Sequence, residues 1–352
     1  MIIPTRYEPT GGENSGGSAD ILHYIDTHLS RTVAIKKIRD QNDKNRIFDE
    51  IKSLLTLRSK HVVQIFDIII GTDNEIGIIM EFIHGRDLDH DTIQNLDPKE
   101  CLKLLWQIAS GISDIHAVDF IHRDIKPENM KLDNENVLKI FDFGLARESG
   151  AKAETTGFKG TPGYAAPELF RHGTVSFTKA VDTYAFGVAC LIIAGGQMSK
   201  ELLHFPPLPA ANSIFSSTKI VEHPELTAIL FKCLDHVPEN RPAMPLVRDT
   251  ISKHVLKGQH QALIVMNGKH YYINTQNPRA TLTGNSLGRF SIIYDGINFT
   301  LNNITGEVFI NAREATDGLI LPGSSVVAIG AESRGAQRSY ATFDISNPEV
   351  TL

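Results

Sequence analysis

Cysteine and tryptophan are scarce in this chain of 352 residues, with three of the first and one of the second. Cys101, Cys190 and Cys233 are odd in number, far apart and set among apolar residues. They therefore read as buried, reduced thiols, and neither a disulfide framework nor a cysteine-held metal is expected. An excess of positive charge is missing as well. Lys and Arg total 35 against 41 Asp and Glu, a net charge of −6, which argues against nucleic acid or an anionic membrane as the main partner. Long hydrophobic runs are absent. The longest, Ala185 to Gly196, is too short to span a bilayer and predicts a buried helix. Met1-Ile2-Ile3-Pro4 shows no signal-peptide organisation. Together these absences predict a soluble, cytoplasmic protein.

What is present is an ordinary globular composition, 41% apolar and 22% charged, with room for about two domains at roughly 150 residues each. The informative segment is Ile121-His122-Arg123-Asp124-Ile125-Lys126-Pro127-Glu128-Asn129, followed downstream by Asp142-Phe143-Gly144. Phosphoryl transfer needs such a set: one carboxylate to orient and deprotonate a hydroxyl, and an amide and a second carboxylate to hold the metal ions that neutralise the phosphates. In these motifs the chain resembles the eukaryotic-type protein kinases, and the H-R-D-I-K-P-E-N form resembles their serine/threonine branch. The resemblance implies an α+β, bilobal protein kinase fold over residues 1–257, with an N-lobe to about 82 and a C-lobe from 83. It also implies use of ATP with Mg2+ or Mn2+, and protein substrates. Asp124 is the expected catalytic base, Lys126 the cation beside the transferred phosphoryl group, and Asn129 and Asp142 the metal ligands. His122 and Phe143 are expected to stack with Leu54 and Ile65 in a column between the lobes.

Upstream, Gly11 to Ile21 is rich in glycine, which lets backbone amides approach phosphate oxygens. On the family pattern the loop positions are Asn14, Gly16, Ala19 and Ile21, with only the middle glycine kept. Val33-Ala34-Ile35-Lys36 alternates as a strand, so Ala34 and Lys36 share one face. The resemblance places Ala34 over adenine and Lys36 at the α- and β-phosphates, paired with Glu50 on the following helix. Glu81-Phe82-Ile83-His84-Gly85 resembles the hinge, where backbone groups around Glu81 and Ile83 meet the adenine edge and Met80 is the gatekeeper. Lys131 departs from the family, which has an aliphatic residue under the adenine ring there. Either its methylene stem lies against the base with the ammonium outward, or it lowers nucleotide affinity.

A helix is predicted over Gln107 to Val118. Gly160-Thr161-Pro162-Gly163-Tyr164-Ala165-Ala166-Pro167-Glu168 resembles the substrate-docking end of an activation loop. Thr155, Thr156 and Thr161 are the candidate autophosphorylation sites, with Arg123 available to a phosphate. Asp182 resembles the aspartate that braces the catalytic loop, and Arg241 the partner of Glu168.

After Lys257 the helical periodicity gives way to β-branched runs joined by turn dipeptides. Ala262 to Met266 and His270 to Ile273 flank Asn267-Gly268, a type I′ hairpin signal. Ser291 to Tyr294 and Ile297 to Leu301 flank Asp295-Gly296, and further strands are predicted at Val308–Ile310, Val326–Ile329 and Ser339–Phe343. Residues 258–352 are thus expected to form a small all-β sandwich domain. The order Thr281-Leu282-Thr283-Gly284, Ser286 and the Asp295-Gly296 turn resembles a forkhead-associated domain, which implies phosphopeptide binding. Asn285 stands where that family has its phosphate-gripping arginine, and Arg289 where it has a histidine. A regulatory-protein or dimerisation sandwich is the alternative. The functional expectation is a serine/threonine kinase whose β domain recruits substrate or regulates it. The alternative is a catalytically weak scaffold acting through the β domain.

Overall fold

Short β-branched runs separated by turn residues build the first sheet. In the computed structural model, which describes residues 3–16, 19–38, 55–71, 75–143, 147–148, 154–156, 160–170, 174–284, 286–346 and 350, the chain divides into two units, residues 1–251 and 252–351. The first unit opens with β1 (Tyr7–Gly16), β2 (Ala19–Asp26), β3 (Arg31–Ile38), β4 (Ile65–Ile70) and β5 (Ile76–Glu81). They form one antiparallel sheet in the order β1-β2-β3-β5-β4. Alternation along β3 sends Val33 and Ile35 into a core with Tyr7, Ile69 and Ile79, and leaves Ala34 and Lys36 on the other face. The glycine-rich segment forms the end of the β1–β2 hairpin, pairing Asn14 with Ile21 and Gly16 with Ala19. The register shifts between Pro9 and Glu13. Gly11, within that bulge, has φ of +79°, a conformation that a residue without Cβ adopts at little cost.

Asp26 closes this hairpin system. Its carboxylate is fully buried and accepts from Arg6 Nε at 2.7 Å and Arg6 Nη2 at 2.5 Å. It also accepts from the amides of His28 and Leu29, so it ties the start of β1 to the β2–β3 turn.

The rest of the first unit is mainly helical. β6 (Gly85–Asp87) and α1 (His90–Gln94) lead into α2 (Pro98–Ala117). That helix starts well before Gln107, because Asp97 accepts from the Glu100 amide and the Glu100 carboxylate accepts from the Asp97 amide, with proline in the first turn. This capping box fixes the start in polar residues that a search for apolar spacing passes over. Next come β7 (Phe120–Ile121), β8 (Met130–Asp133), β9 (Leu138–Ile140), β10 (Arg147–Glu148), β11 (Glu154–Thr156) and β12 (Thr174–Ser176). β6, β8 and β9 form a three-stranded sheet, β10 pairs with β7, and β11 with β12. Then follow α3 (Ala180–Ile193), α4 (Pro224–Cys233) and α5 (Met244–Val255). The apolar run predicted as a buried helix is α3, nearly every residue of which is buried. It ends where Gly195, at φ +84°, turns the chain out. All three cysteines are free and buried. Among the described residues no helix is long and apolar enough to cross a membrane.

Glu168 and Arg241 form a buried two-toothed pair, with contacts of 2.7 and 2.9 Å. Two of the three remaining guanidinium hydrogens go to the carbonyls of Asp235 and Ala180.

The second unit is all β, apart from one short 3₁₀ segment and the end of α5. Its strands are β13 (Gln261–Met266), β14 (Lys269–Ile273), β15 (Arg279–Gly284), β16 (Gly288–Tyr294), β17 (Phe299–Gly306), β18 (Val308–Ile310), β19 (Arg313–Glu314), β20 (Ser324–Ile329) and β21 (Ser339–Ser346). A six-stranded sheet, β14-β13-β21-β20-β18-β19, and a three-stranded sheet, β15-β16-β17, share one core that includes Ile264, Phe290, Phe299, Val327 and Phe343. The Asn267-Gly268 hairpin has its two-residue turn with both φ positive, at 50° and 73°, as a type I′ turn requires. The Asp295-Gly296 hairpin differs from expectation. Tyr294 pairs with Phe299, so Ile297 and Asn298 belong to the turn. The Asp295 carboxylate accepts from both their amides and holds them out of the ladder.

Two stability outcomes follow from the buried charges. Arg241→Ala leaves Glu168 buried without its counter-charge and should cost about 3–5 kcal/mol in urea unfolding, whereas replacing both residues with leucine and methionine should cost less. For Asp26, the Arg6 hydrogen bonds outweigh burial and hold its carboxyl at about 2, against an ordinary 3.8. A depressed native value stabilises the fold above the unfolded value, and that contribution fades as pH falls from 3.8 towards about 2. The gap in urea midpoint between wild type and Asp26→Asn should therefore be widest above that window and narrow through it. A gap independent of pH would show that the pair is not linked to folding.

Candidate active site

The catalytic segment is held from beneath by α2 and α3. Asp182, in the first turn of α3, is inaccessible to solvent. Its carboxylate accepts from the amides of His122 at 2.8 Å and Arg123 at 2.7 Å, and from His116 Nε2 at 3.0 Å. Burial pushes this carboxyl up, but the hydrogen bond and charge of His116, with His122 and the Arg123 amide, overcome it and hold it below the ordinary range. Arg123 sits at φ +70°, a conformation that costs a non-glycine residue on the order of 1–2 kcal/mol. The Asp182 bond and the stacking of its guanidinium over Phe177, at 4.1 Å, hold it there.

His122 is a structural residue. Its Nε2–H donates to the Phe141 carbonyl at 3.1 Å and its Nδ1 accepts from the Asp124 amide at 3.3 Å. Burial lowers its pKa, with Asp182 opposing. The ring meets Phe143 at 4.8 Å between centroids, as the expected column requires, and Ile65 is buried. Leu54 lies outside the described residues.

Four side chains then converge on one point. Thr161 Oγ1 donates to Asp124 Oδ1 at 2.6 Å and accepts from Lys126 Nζ at 2.6 Å. Lys126 Nζ is also 2.9 Å from Asp124 Oδ2. Asn129 Nδ2 donates to the Asp124 carbonyl and to its carboxylate, each at 2.8 Å. A carboxylate, an ammonium and an aliphatic hydroxyl are thus in mutual hydrogen-bond contact, the geometry needed to orient a second hydroxyl. Thr161, expected as a phosphoacceptor, has its hydroxyl engaged within this cluster.

Lys36 Nζ is paired with Asp142 Oδ1. Asp142 is also at positive φ, +65°. Glu50, the expected partner of Lys36, lies outside the described residues. The donor set fits a hard divalent ion: Asn129 spends its nitrogen on Asp124 and retains Oδ1, and Asp142 adds carboxylate oxygens. Thr155 and Thr156 lie on β11, opposite Val175 and Thr174. For Asn14, Gly16 and Ala19 the structure describes the backbone only, in the β1–β2 hairpin. Ile21 pairs with Lys36, and Ala34 with Met80 across β3 and β5.

At the hinge, Glu81 is tied on both sides. Its amide donates to the Gln64 carbonyl at 2.8 Å, and its carboxylate accepts from the Gln64 amide and pairs with Lys139 at 3.0 Å. Ile83, Gly85 and Lys131 line a cleft of about 580 Å³. Lys131 Nζ lies 3.3 Å from Asp87 Oδ1, an exposed carboxylate. Reasoning from sequence missed four participants: His116, Phe177, Lys139 and Asp87. Each acts through a partner distant in the chain, and only the i, i+3 placement of His116 on the helical pattern before the catalytic motif offered a signal.

The comparisons with known proteins agree with this geometry. The profile of the protein kinase domain matches residues 14–250. A probable serine/threonine-protein kinase, pknA2, of Bifidobacterium longum is 32% identical over 211 residues, 56% of this chain and 27% of its own length. The serine/threonine-protein kinase PrkC of Bacillus subtilis is 33% identical over 206 residues, covering 56% of this chain and 31% of its own. Human cyclin-dependent kinase-like 2 is 34% identical over 278 residues, 67% of this chain and 56% of its own length. The chain thus spans under a third of the two bacterial relatives. In fold it is similar to a chain in the structure of the CAK complex from Chaetomium thermophilum bound to ATP-gamma-S, with a TM-score of 0.58 at 18% identity, covering 69% of this chain and 90% of that one. The chain belongs to the protein kinase family, and its N-terminal unit is a protein serine/threonine kinase domain.

Proposed function

We propose that this protein transfers the γ-phosphoryl group of Mg-ATP, or of Mn-ATP, to serine and threonine hydroxyls of proteins, its own activation loop among them. The observation that carries this reading is the Thr161 hydroxyl held between Asp124 and Lys126 at 2.6 Å on either side. It supports a site that accepts an aliphatic alcohol beside a carboxylate and a cation. The substrate oxygen bonds to the γ-phosphorus while the bond to the β–γ bridging oxygen breaks, and ADP leaves with that oxygen. Asp124 takes the hydroxyl proton and passes it to solvent. Lys126 balances charge on the transferring group, and Lys36, released from Asp142, holds the α- and β-phosphates. Asn129 and Asp142 would hold the divalent ion, which would neutralise phosphate charge. Positioning and electrostatics carry most of the acceleration in such reactions, whose turnover runs at about 1–100 s⁻¹.

For autophosphorylation we favour Thr155 and Thr156 over Thr161, whose hydroxyl already has two partners. The kinase domain extends in this reading to about residue 257. Residues 258–352 serve as a forkhead-associated-like module for a phosphopeptide or a regulatory protein, with the exposed Arg289 on β16 as its contact. The three buried thiols and the net charge of −6 support a cytoplasmic site of action without nucleic-acid or membrane partners.

Transfer of labelled γ-phosphate to the protein itself and to a generic basic protein tests this. Wild type should label both, with sites mapped by mass to Thr155 or Thr156. Asp124→Asn and Asp142→Asn should each lower the rate by about a hundredfold or more. Label on neither protein, alongside measurable ATP binding, would instead support a scaffold that acts through the β unit. Thr161→Ala should lower kcat more than it raises KM, since that hydroxyl positions Asp124 and Lys126.

A further inference from the structure

A row of side chains on the β6-β8-β9 sheet is not used by the mechanism above. Asp87, Lys131 and Lys139 stand directly opposite one another across the three strands, and so share one face. The ladder also orders them along the site. Gly85 faces Asp133 at the hinge end. Asp87 faces Lys131, which is two residues from the metal-binding Asn129. A nucleotide with its base at the hinge and its phosphates near Asn129 and Asp142 must therefore carry its sugar past the Asp87–Lys131 step.

We propose that Lys131 makes this kinase tolerant of the nucleotide's sugar. By pairing with Asp87 at 3.3 Å, its ammonium takes up the carboxylate that would otherwise read a ribose hydroxyl, so ATP and 2′-deoxyATP are accepted nearly alike. The inference rests on the nucleotide reading above. Its physical basis is the source of such discrimination. A site rejects an analogue lacking a hydroxyl when the analogue leaves a desolvated protein group without a partner. Here that group is not desolvated: the Asp87 side chain is 70% exposed, and Lys131, at 26%, already satisfies it. Loss of the hydroxyl strands nothing. Lys131 also lines the cleft together with Ile83 and Gly85, as the methylenes of a lysine can while its ammonium stays hydrated.

The decisive experiment is calorimetric titration of the full chain with Mg-ATP and with Mg-2′-deoxyATP, for wild type, Lys131→Met, Lys131→Leu and Asp87→Asn. Wild type should bind the two within about threefold. Either Lys131 variant frees Asp87 and should widen the preference for ATP to about tenfold, the effect of one charge-assisted hydrogen bond at a partly exposed site. Asp87→Asn should leave the ratio near that of wild type. A wild-type preference for ATP above tenfold, or an unchanged ratio in both Lys131 variants, overturns the proposal and leaves an ordinary surface ion pair. The kinase reading fails separately: binding of both nucleotides without phosphoryl transfer would sink catalysis and still support the sugar inference. Absence of binding of either nucleotide would overturn both.

Discussion

Two backbone amides and one imidazole converge on the carboxylate of Asp182, which has no contact with water. An ion so placed is tolerable only with its acceptor sites filled, and filling them dictates the path of the chain through His122 and Arg123. From that path the rest follows. Arg123 is turned into a left-handed conformation, Asp124 emerges with its side chain towards Thr161, and the His122 ring is set between the Phe141 carbonyl and the Asp124 amide. The anchor is stiff because α3, which carries it, is buried almost all round.

The charges of the site are arranged in matched sets. Asp124 has Lys126, Asp142 has Lys36, Glu81 has Lys139, and Glu168 has Arg241. The first two pairs contain partly exposed groups, so partners can be exchanged without stranding an ion in an apolar medium. The Glu168–Arg241 pair is buried and keeps its partner, in keeping with a bracing role.

The candidate site could be located from the sequence because several of its residues fall in short motifs of fixed spacing. Asp124, Lys126 and Asn129 come from one short motif, whereas Thr161, expected only as a phosphoacceptor, joins them from a distant segment. What was not legible depends on which strand lies opposite which. The pairing of Asp87 with Lys131 follows from the β6–β8 register, and that of Glu81 with Lys139 from the approach of β5 to β9, neither of which is written in local periodicity. The early start of α2 escaped for a different reason, since its signal is a polar capping box rather than an apolar stripe. The turn after Tyr294 is longer than Asp-Gly suggests because the Asp295 side chain competes for amides that a two-residue turn would give to the ladder. Most strands of the second unit were legible from β-branched runs between turn dipeptides, whereas Arg279–Gly284, Arg313–Glu314 and the allotment of strands to two sheets were not.

The lysines at 131 and 139 face each other across β8 and β9, an arrangement of like charges that would by itself weaken the sheet. It persists because each ammonium is held by a carboxylate from a different strand, Asp87 on one side and Glu81 on the other. These four residues therefore form one electrostatic set of two carboxylates and two ammoniums. Removing any one of these charges changes the balance felt by the other three, and an aliphatic residue at 131 would take from Asp87 the ammonium it now faces. The local charge at the end of β6 is thus set from β8, through a residue that lies outside the cluster of Asp124, Lys126, Asn129 and Thr161.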